Sequence, residues 1–365
     1  MATGELVRMA AGDVLACQNG LLDISTRDLY SHTPELLNFN ALDFNYDPKT
    51  PEPVEWLKFL HSIWPNDPES ISTLQEIFGY LLSHDLSQQK LFMLLGPKRA
   101  GKGIIARVLR RQLGVDNVAG PTLAQLSENF GLEPLIGKRL AIIGDARIGG
   151  GSDQNVVVER LLSLSGEDPL TVHRKFKSAW NGQLGVRVIL LSNELPRFSD
   201  TSATIASRFI ILKFSESFYG REDHSIERRV MRELRGILRW ALDGLNRLSG
   251  RGHFIMPASA RAEAERMEEL SSPILAFVHD RCELSSTFSV PVNDLFNQWK
   301  AWCDARNLPA GSLISFSNAL HSAVASVKTS RPRVEGDRVR VFAGIGLAAG
   351  GISAAGPHGP HNLLL

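Results

Sequence analysis

The stretch Gly96-Pro97-Lys98-Arg99-Ala100-Gly101-Lys102-Gly103-Ile104 combines the residue types that can hold a phosphate chain. Two glycines let the backbone turn so that successive N–H groups face an anion, and Lys102 supplies a cation for β and γ phosphates. An apolar run, Leu91–Leu95, comes before it and a helical pattern comes after it. This is the strand–loop–helix setting in which a helix N-terminus also favours negative charge. The spacing is Gly-x4-Gly-Lys, but Gly103 stands where the full motif carries Ser or Thr.

Three further positions bear on the same chemistry. Asp145 directly follows Leu140-Ala141-Ile142-Ile143-Gly144, where a nucleotide hydrolase places the acid that holds Mg²⁺ or its water; an aspartate there also caps turns. Asn193 ends Val188-Ile189-Leu190-Leu191-Ser192, where an amide can orient water or sense the γ phosphate, or simply start the turn before Pro196. Arg208 follows a polar loop and starts the next apolar run; it can reach a neighbouring subunit's nucleotide or form an ordinary ion pair. Between these lies Thr171-Val172-His173-Arg174-Lys175-Phe176-Lys177, an alternating, basic segment. With Phe176 and Trp180, His173, Arg174, Lys175 and Lys177 could follow a phosphate backbone while a ring stacks a base. The competing reading is a solvated edge hairpin guarded by lysine.

The elements that must position these residues follow from apolar periodicity. Residues 91–95, 139–144, 186–192 and 208–214 are short, continuous apolar runs, the mark of central parallel strands covered on both faces. Their alternation with helical patterns predicts an α/β, three-layered fold with ligands at the carboxyl ends of the strands. Ahead of it, residues 1–46 read as short strands and turns, with Asn19-Gly20 as a hairpin signal. Two helices follow, one with Val54, Leu57, Leu60 and Ile63 on a face, the next with Ile71, Leu74, Ile77 and Leu81 behind Asp67-Pro68 and Ser70. Helices are expected over 226–248 and 258–270. The last unit has helices near 273–282, 292–306 and 315–327, then two short strands around Glu335-Gly336-Asp337, a winged-helix pattern. The divisions are thus 1–85, a lead-in; 86–270, the α/β unit; 271–347, the helix-plus-wing unit; and 348–365, a Gly- and Pro-rich tail expected to be disordered.

Composition narrows the class. A chain of 365 residues with 43% hydrophobic and 22% charged residues is that of a soluble globular protein with room for two or three domains. A net charge of +1 excludes an overall basic coat, so nucleic acid would need a local patch. Cys17, Cys282 and Cys303 lack metal-ligand spacing. No apolar run can span a membrane, and no secretory leader is legible, so a cytoplasmic setting is expected.

In chain order, the phosphate loop, the Asp145 strand, the Gly166-Glu167-Asp168…Lys175 hairpin, and the Asn193 strand with its later Arg208 resemble the motif series of superfamily 3 helicases. These are AAA+ P-loop ATPases of viruses, phages and plasmids. Within them the chain is most similar to the phage- and plasmid-type primase–helicases related to the poxvirus primase–helicase. The likeness runs over roughly residues 15–345 and includes the lead-in segment. It implies an ATPase and DNA helicase in which Lys102 contacts β and γ phosphates, Asp145 holds Mg²⁺, Asn193 is the sensor and Arg208 the finger. It further implies a hexameric ring in a bacterial host, with His173, Arg174, Lys175 and Lys177 facing single-stranded DNA in the channel. A primase or polymerase would be a partner. Lys328, Arg331, Arg333, Arg338 and Arg340 would form a basic wing, or the unit could be a protein dock. The family often has an upstream primase domain, and no primer synthesis is expected from these residues. Gly103 departs from the family: Asp145 and the phosphates would hold Mg²⁺ without the hydroxyl, or the chain would be a hydrolysis-deficient, nucleotide-gated DNA-binding module. A small nucleotide kinase is a third class, and the long C-terminal extension argues against it.

Overall fold

The computed structural model describes residues 14–34, 41–144, 153–198, 204–334 and 337–348. They divide into two compact units, the first reaching residue 267 and the second starting at 268.

The first unit opens with an antiparallel hairpin, β1 (Val14–Cys17) and β2 (Gly20–Asp23), with β3 (Leu29–Tyr30) alongside β2. Cys17 pairs with Gly20, so the turn residues are Gln18 and Asn19, one position earlier than the Asn-Gly signal indicates. Asn19 is drawn into another task. Its Nδ2 donates to Tyr46 O at 2.8 Å and its Oδ1 accepts from Tyr46 N at 2.9 Å.

Helix α1 (Val54–Ile63) buries Trp56, Phe59, Leu60 and Ile63. The stripe is rotated from the expected one: Val54 is 50% exposed and Leu57 only half-buried, because two large aromatics take the inner face. Helix α2 (Pro68–Leu82) starts where Asp67 accepts a hydrogen bond from Ser70 N at 3.0 Å, and it buries Leu74, Ile77 and Leu81 as its period requires.

The central sheet is built from β4 (Leu91–Leu95), β5 (Val118–Ala119), β6 (Leu140–Gly144), β9 (Arg187–Ser192) and β10 (Phe209–Lys213). It is parallel throughout, in the order β10-β4-β9-β6-β5. The two-residue β5 has too little apolar sequence to be read as a strand. A separate antiparallel pair, β7 (Pro169–Arg174) and β8 (Lys177–Gln183), is inserted before β9. Side-chain alternation splits each central strand between two cores. Phe92, Leu94, Ile189, Ile210 and Leu212 face α1, α2, α3 (Lys102–Leu113) and a later helix of residues 234–251. Leu91, Met93, Val188, Leu190 and Ile211 face the opposite layer. That layer holds α4 (Leu123–Leu126), α5 (Gln154–Ser165) and α6 (Thr204–Arg208). This is the three-layered α/β arrangement that the apolar runs require.

After β10 come α7 (Ile226–Val230), α8 (Leu234–Arg251) and α9 (Arg261–Ser271). A short 3₁₀ turn, Met231–Glu233, separates α7 from α8 where the sequence reads as one helix. Buried Glu76 ties α2 to α8 by accepting from Arg247 Nε at 2.7 Å and Arg251 Nη2 at 2.5 Å. The lead-in residues Leu15, Leu22, Phe44 and Trp56 belong to the same core as this helical layer.

The second unit packs α10 (Pro273–Arg281), α11 (Val292–Asp304) and α12 (Leu313–Ala323) around Phe277, Trp299, Trp302, Phe316 and Phe342. Its antiparallel sheet is formed by β11 (Cys282–Pro291), β12 (Lys328–Ser330) and β15 (Val341–Leu347), with β15 in the middle. Strand β11 escapes sequence reading because its residues are mostly polar and only Val290 is buried. A short pair, β13 (Arg333–Val334) with β14 (Asp337–Arg338), forms around the expected turn. The tail expected after residue 347 lies outside the described residues, Ala348 apart. All three cysteines are free thiols. Among the described residues no helix is long and apolar enough to cross a membrane.

Two buried cations join the lead-in to the sheet. Arg187 starts β9, and its Nη2 donates to Tyr80 O at 3.1 Å, to Leu81 O at 2.9 Å and to Ser83 O. Arg139, just before β6, donates through Nη1 to Leu82 O at 2.8 Å, and its Nη2 meets a His84 ring nitrogen at 2.6 Å. The carbonyls that α2 leaves open at its C-terminus are thus closed by charge, which also suits the negative end of the helix. Burial pulls both guanidinium pKa values down to about 10, still far above neutral pH. Arg187→Leu keeps apolar volume but removes the donor from Leu81 O and Ser83 O, while Tyr80 O keeps its bonds from Ser83 N and Oγ. It should lower unfolding free energy by about 2–4 kcal/mol, as measured by urea denaturation.

Candidate functional site

The loop between β4 and α3 is built by close backbone approach. Gly96 has φ +153°, and a Cβ there would sit 2.3 Å from Phe214 O, while its own N–H donates to Ser192 O at 3.1 Å. The first loop residue is therefore wedged between the ends of β9 and β10. Gly101 has φ +95°, and a Cβ would lie 2.9 Å from Ile63 Cδ1 and 3.1 Å from Phe59 Cζ. Both glycines of the motif are demanded by sterics, the second by a helix of the lead-in.

Lys102 opens α3 and is buried. Its Nζ donates to Gly96 O at 2.5 Å, Pro97 O at 2.8 Å and Asn193 Oδ1 at 3.1 Å. Burial lowers its pKa from the ordinary lysine value. The structure thus brings Lys102 and Asn193 together, 91 positions apart, because β4 and β9 are neighbours with Leu95 level with Ser192. The connection from β4 leads toward β5 on one flank, and that from β9 leads to β10 on the other. Right-handed crossovers of opposite direction lie on opposite faces, which opens a crevice at the carboxyl ends of this strand pair.

A cleft of about 780 Å³ occupies that position. It is lined by loop residues 98–104, by Asn193, by the exposed edge of α1 and by residues 218–229. Seven lysine and arginine side chains line it against four carboxylates, so the cleft favours an anion. Much of that charge is organised in pairs. Arg229 donates to Asp223 Oδ2 and to Glu55 Oε2, both at 2.7 Å. The Arg229 hydrogen bond holds the Asp223 carboxyl well below the usual range and lowers that of Glu55, with Lys58 helping the latter. Arg107 makes a two-pronged pair with Glu227 at 2.7 and 2.8 Å. Phe59, Phe218 and Ile226 supply apolar wall. Apart from Asn193, none of these residues outside the loop is singled out as a site residue by a motif. Only the i, i+4 spacing of Gly103 and Arg107 on one helix face was available from sequence.

Other expected site residues lie elsewhere. Asp145 is outside the described residues, although β6, which precedes it, ends two strands from β4. Arg208 closes α6 instead of starting a strand, because the helical turn 204–208 runs directly into β10. It therefore sits at the amino end of the sheet, away from its own Lys102. Its Nη1 donates to Gln89 Oε1 at 2.6 Å. The basic segment does form a hairpin. Arg174 pairs with Lys177, which leaves Lys175 and Phe176 as the two tip residues. Phe176 is 94% exposed with φ +60°, and Lys175 Nζ lies 5.3 Å from its ring centroid. His173 and Lys177 are also exposed, whereas Arg174 Nε is held by Ser178 O at 2.9 Å. Trp180 is half-buried against the second core, so of the two aromatics Phe176 is the fully exposed one. In the second unit Lys328, Arg331, Arg338 and Arg340 are exposed, with Lys328 on edge strand β12.

Among the described residues no three His, Cys, Asp or Glu side chains gather as a metal cage. The residues present suit a nucleotide, through Lys102, the loop and an anion-favouring cleft, better than a protein-caged ion.

Comparison with known proteins divides the chain in the same order. Residues 8–65 match a family model described as D5 N terminal like, and residues 94–208 match a family of unknown function (DUF5906). Residues 270–335 match a model described as Poxvirus D5 protein-like. Two solved forms of the NrS-1 C terminal region, both apo, share the fold. One has TM-score 0.57 at 12% identity over 86% of this chain and 83% of that one. The other has TM-score 0.53 at 12% identity over 86% and 85%.

Gly101→Ala tests the geometry of the loop. Positive φ and contact with Ile63 should cost about 2 kcal/mol or more. The expected result is a lower melting temperature, measured by thermal melting.

Proposed function

We propose that this chain, which belongs to the phage- and poxvirus-type primase–helicase family, is an ATP-dependent DNA helicase of a phage, prophage or plasmid replication system. The observation that carries the reading is the Lys102–Asn193 contact at the mouth of a cation-rich cleft. Lys102 would exchange loop carbonyls for β and γ phosphates, and Asn193 would set the position of the attacking water. Asp145, following β6, would be the carboxylate toward Mg²⁺; Mg²⁺ bound with ATP supplies charge neutralisation at the phosphates. In this reading the parallel-sheet unit is an AAA+ P-loop core and the second unit a winged-helix-like accessory.

Arg208 cannot serve its own loop from the amino end of the sheet, which suits an arginine finger delivered to a second copy in a ring, with six copies expected. Phe176 at the hairpin tip, flanked by Lys175, His173 and Lys177, would stack a base while the lysines follow the backbone of single-stranded DNA. A primase or polymerase would be the partner at the fork.

Gly103 favours a second reading, a nucleotide-gated DNA-binding module that binds ATP but does not turn it over. Phosphate release with and without single-stranded DNA, in wild type and Lys102→Ala, separates the two. DNA-stimulated release lost in the variant supports the helicase, and binding without Lys102-dependent release supports the module. Phe176→Ala should weaken single-stranded DNA binding by about 1–3 kcal/mol and leave the melting temperature unchanged, read by fluorescence anisotropy and thermal melting.

A further inference from the structure

The departure at residue 103 has a structural counterpart one turn along α3. Gly103 lies in the first turn of that helix and is not one of the positive-φ residues, so its backbone does not require glycine. What a side chain there would meet is Arg107: a Cβ would stand 3.1 Å from Arg107 Nη1. Arg107 thus covers the site that a Ser or Thr side chain would take, and it lines the same cleft as Lys102, Gly103 and Ile104.

Its partner comes from the segment that crosses the loop. Ser217 Oγ donates to Lys98 O at 2.9 Å and Phe218 N donates to Arg99 O at 3.0 Å, which fixes the start of this segment on the loop. At its far end Glu227 accepts from Arg107 Nε and Nη2. The pair is substantially exposed, with side chains 52% and 39% accessible, so it holds little stability and can be exchanged cheaply. A guanidinium fork fits a phosphate as well as a carboxylate, and a polyphosphate carries more charge.

We propose that Arg107 is a ligand of the nucleotide's phosphate chain, its guanidinium reaching through the space that Gly103 leaves open, and that Glu227 is the competitor that nucleotide displaces. This rests on the reading of the loop as a nucleoside triphosphate site. The two residues then have opposite effects: Arg107 adds affinity for phosphate, and Glu227 subtracts it.

The test is titration of the full chain with a fluorescent ATP analogue, with Mg²⁺ and with EDTA, alongside thermal melting of each variant. Arg107→Gln should weaken binding about tenfold or more in both conditions, with partial recovery in Arg107→Lys. Glu227→Gln should tighten binding, and none of the three variants should shift the melting temperature appreciably. The proposal is overturned if Arg107→Gln stays within twofold of wild type while Lys102→Ala loses binding; the loop reading then survives alone. Equal weakening in Arg107→Gln and Glu227→Gln also overturns it, since the pair would only be propping the cleft. If wild type binds no triphosphate, the loop reading and this proposal fall together.

Discussion

The architecture around the β4–α3 loop rests on a charge placed where charge is expensive. Arg187 and Arg139 are buried at the amino ends of β9 and β6, and what they bind is the row of carbonyls at the end of α2. A helix end buried without partners would leave several acceptors unsatisfied, and an arginine buried without acceptors would be worse. Each defect offsets most of the other, although Nε of both arginines stays buried without a partner. The match is only possible if the lead-in helix ends against that edge of the sheet, so the two guanidinium groups set where α2 stops.

From that anchor the position of the loop follows. With α2 held on the sheet, α1 lies beneath the loop, and its Phe59 and Ile63 touch the space where a Cβ on Gly101 would be. On the opposite side Gly96 is pressed against Phe214 O at the end of β10. The loop is therefore clamped between a helix of the lead-in and the neighbouring strand ends, and its Lys102 is held within it by two carbonyls and the Asn193 amide. The lead-in is part of the site's framework as well as a segment that precedes it.

The cleft beyond the loop uses a different logic. Its cations are numerous, yet Arg107, Arg229, Lys58 and Arg99 each have a carboxylate within ion-pair distance. Such exposed pairs add little stability, but they keep long side chains oriented around an anion-favouring space. A polyanion entering there meets prepositioned donors, and what it must displace are weak partners.

Much of this is legible in the amino-acid sequence. The glycine-bracketed loop, four of the five strands of the parallel sheet, most helices and the hairpin are local patterns, set by glycine placement and by apolar periods that depend only on nearby residues. The family likeness is legible for the same reason, because motif order is a property of the chain. The misses are of another kind. The α1 stripe is rotated because Trp56 and Phe59 claim the inside, a matter of what packs against the helix. Strand β11 is polar and exists because β15 pairs with it. The juxtaposition of Lys102 with Asn193, the half-burial of Trp180 against exposure of Phe176, and the pairing of Arg107 with Glu227 depend on contacts between distant segments. Sequence alone determined which residues have phosphate and base chemistry available. Only the tertiary structure decided which of them share a cleft, since strand order, not chain order, sets what stands beside what.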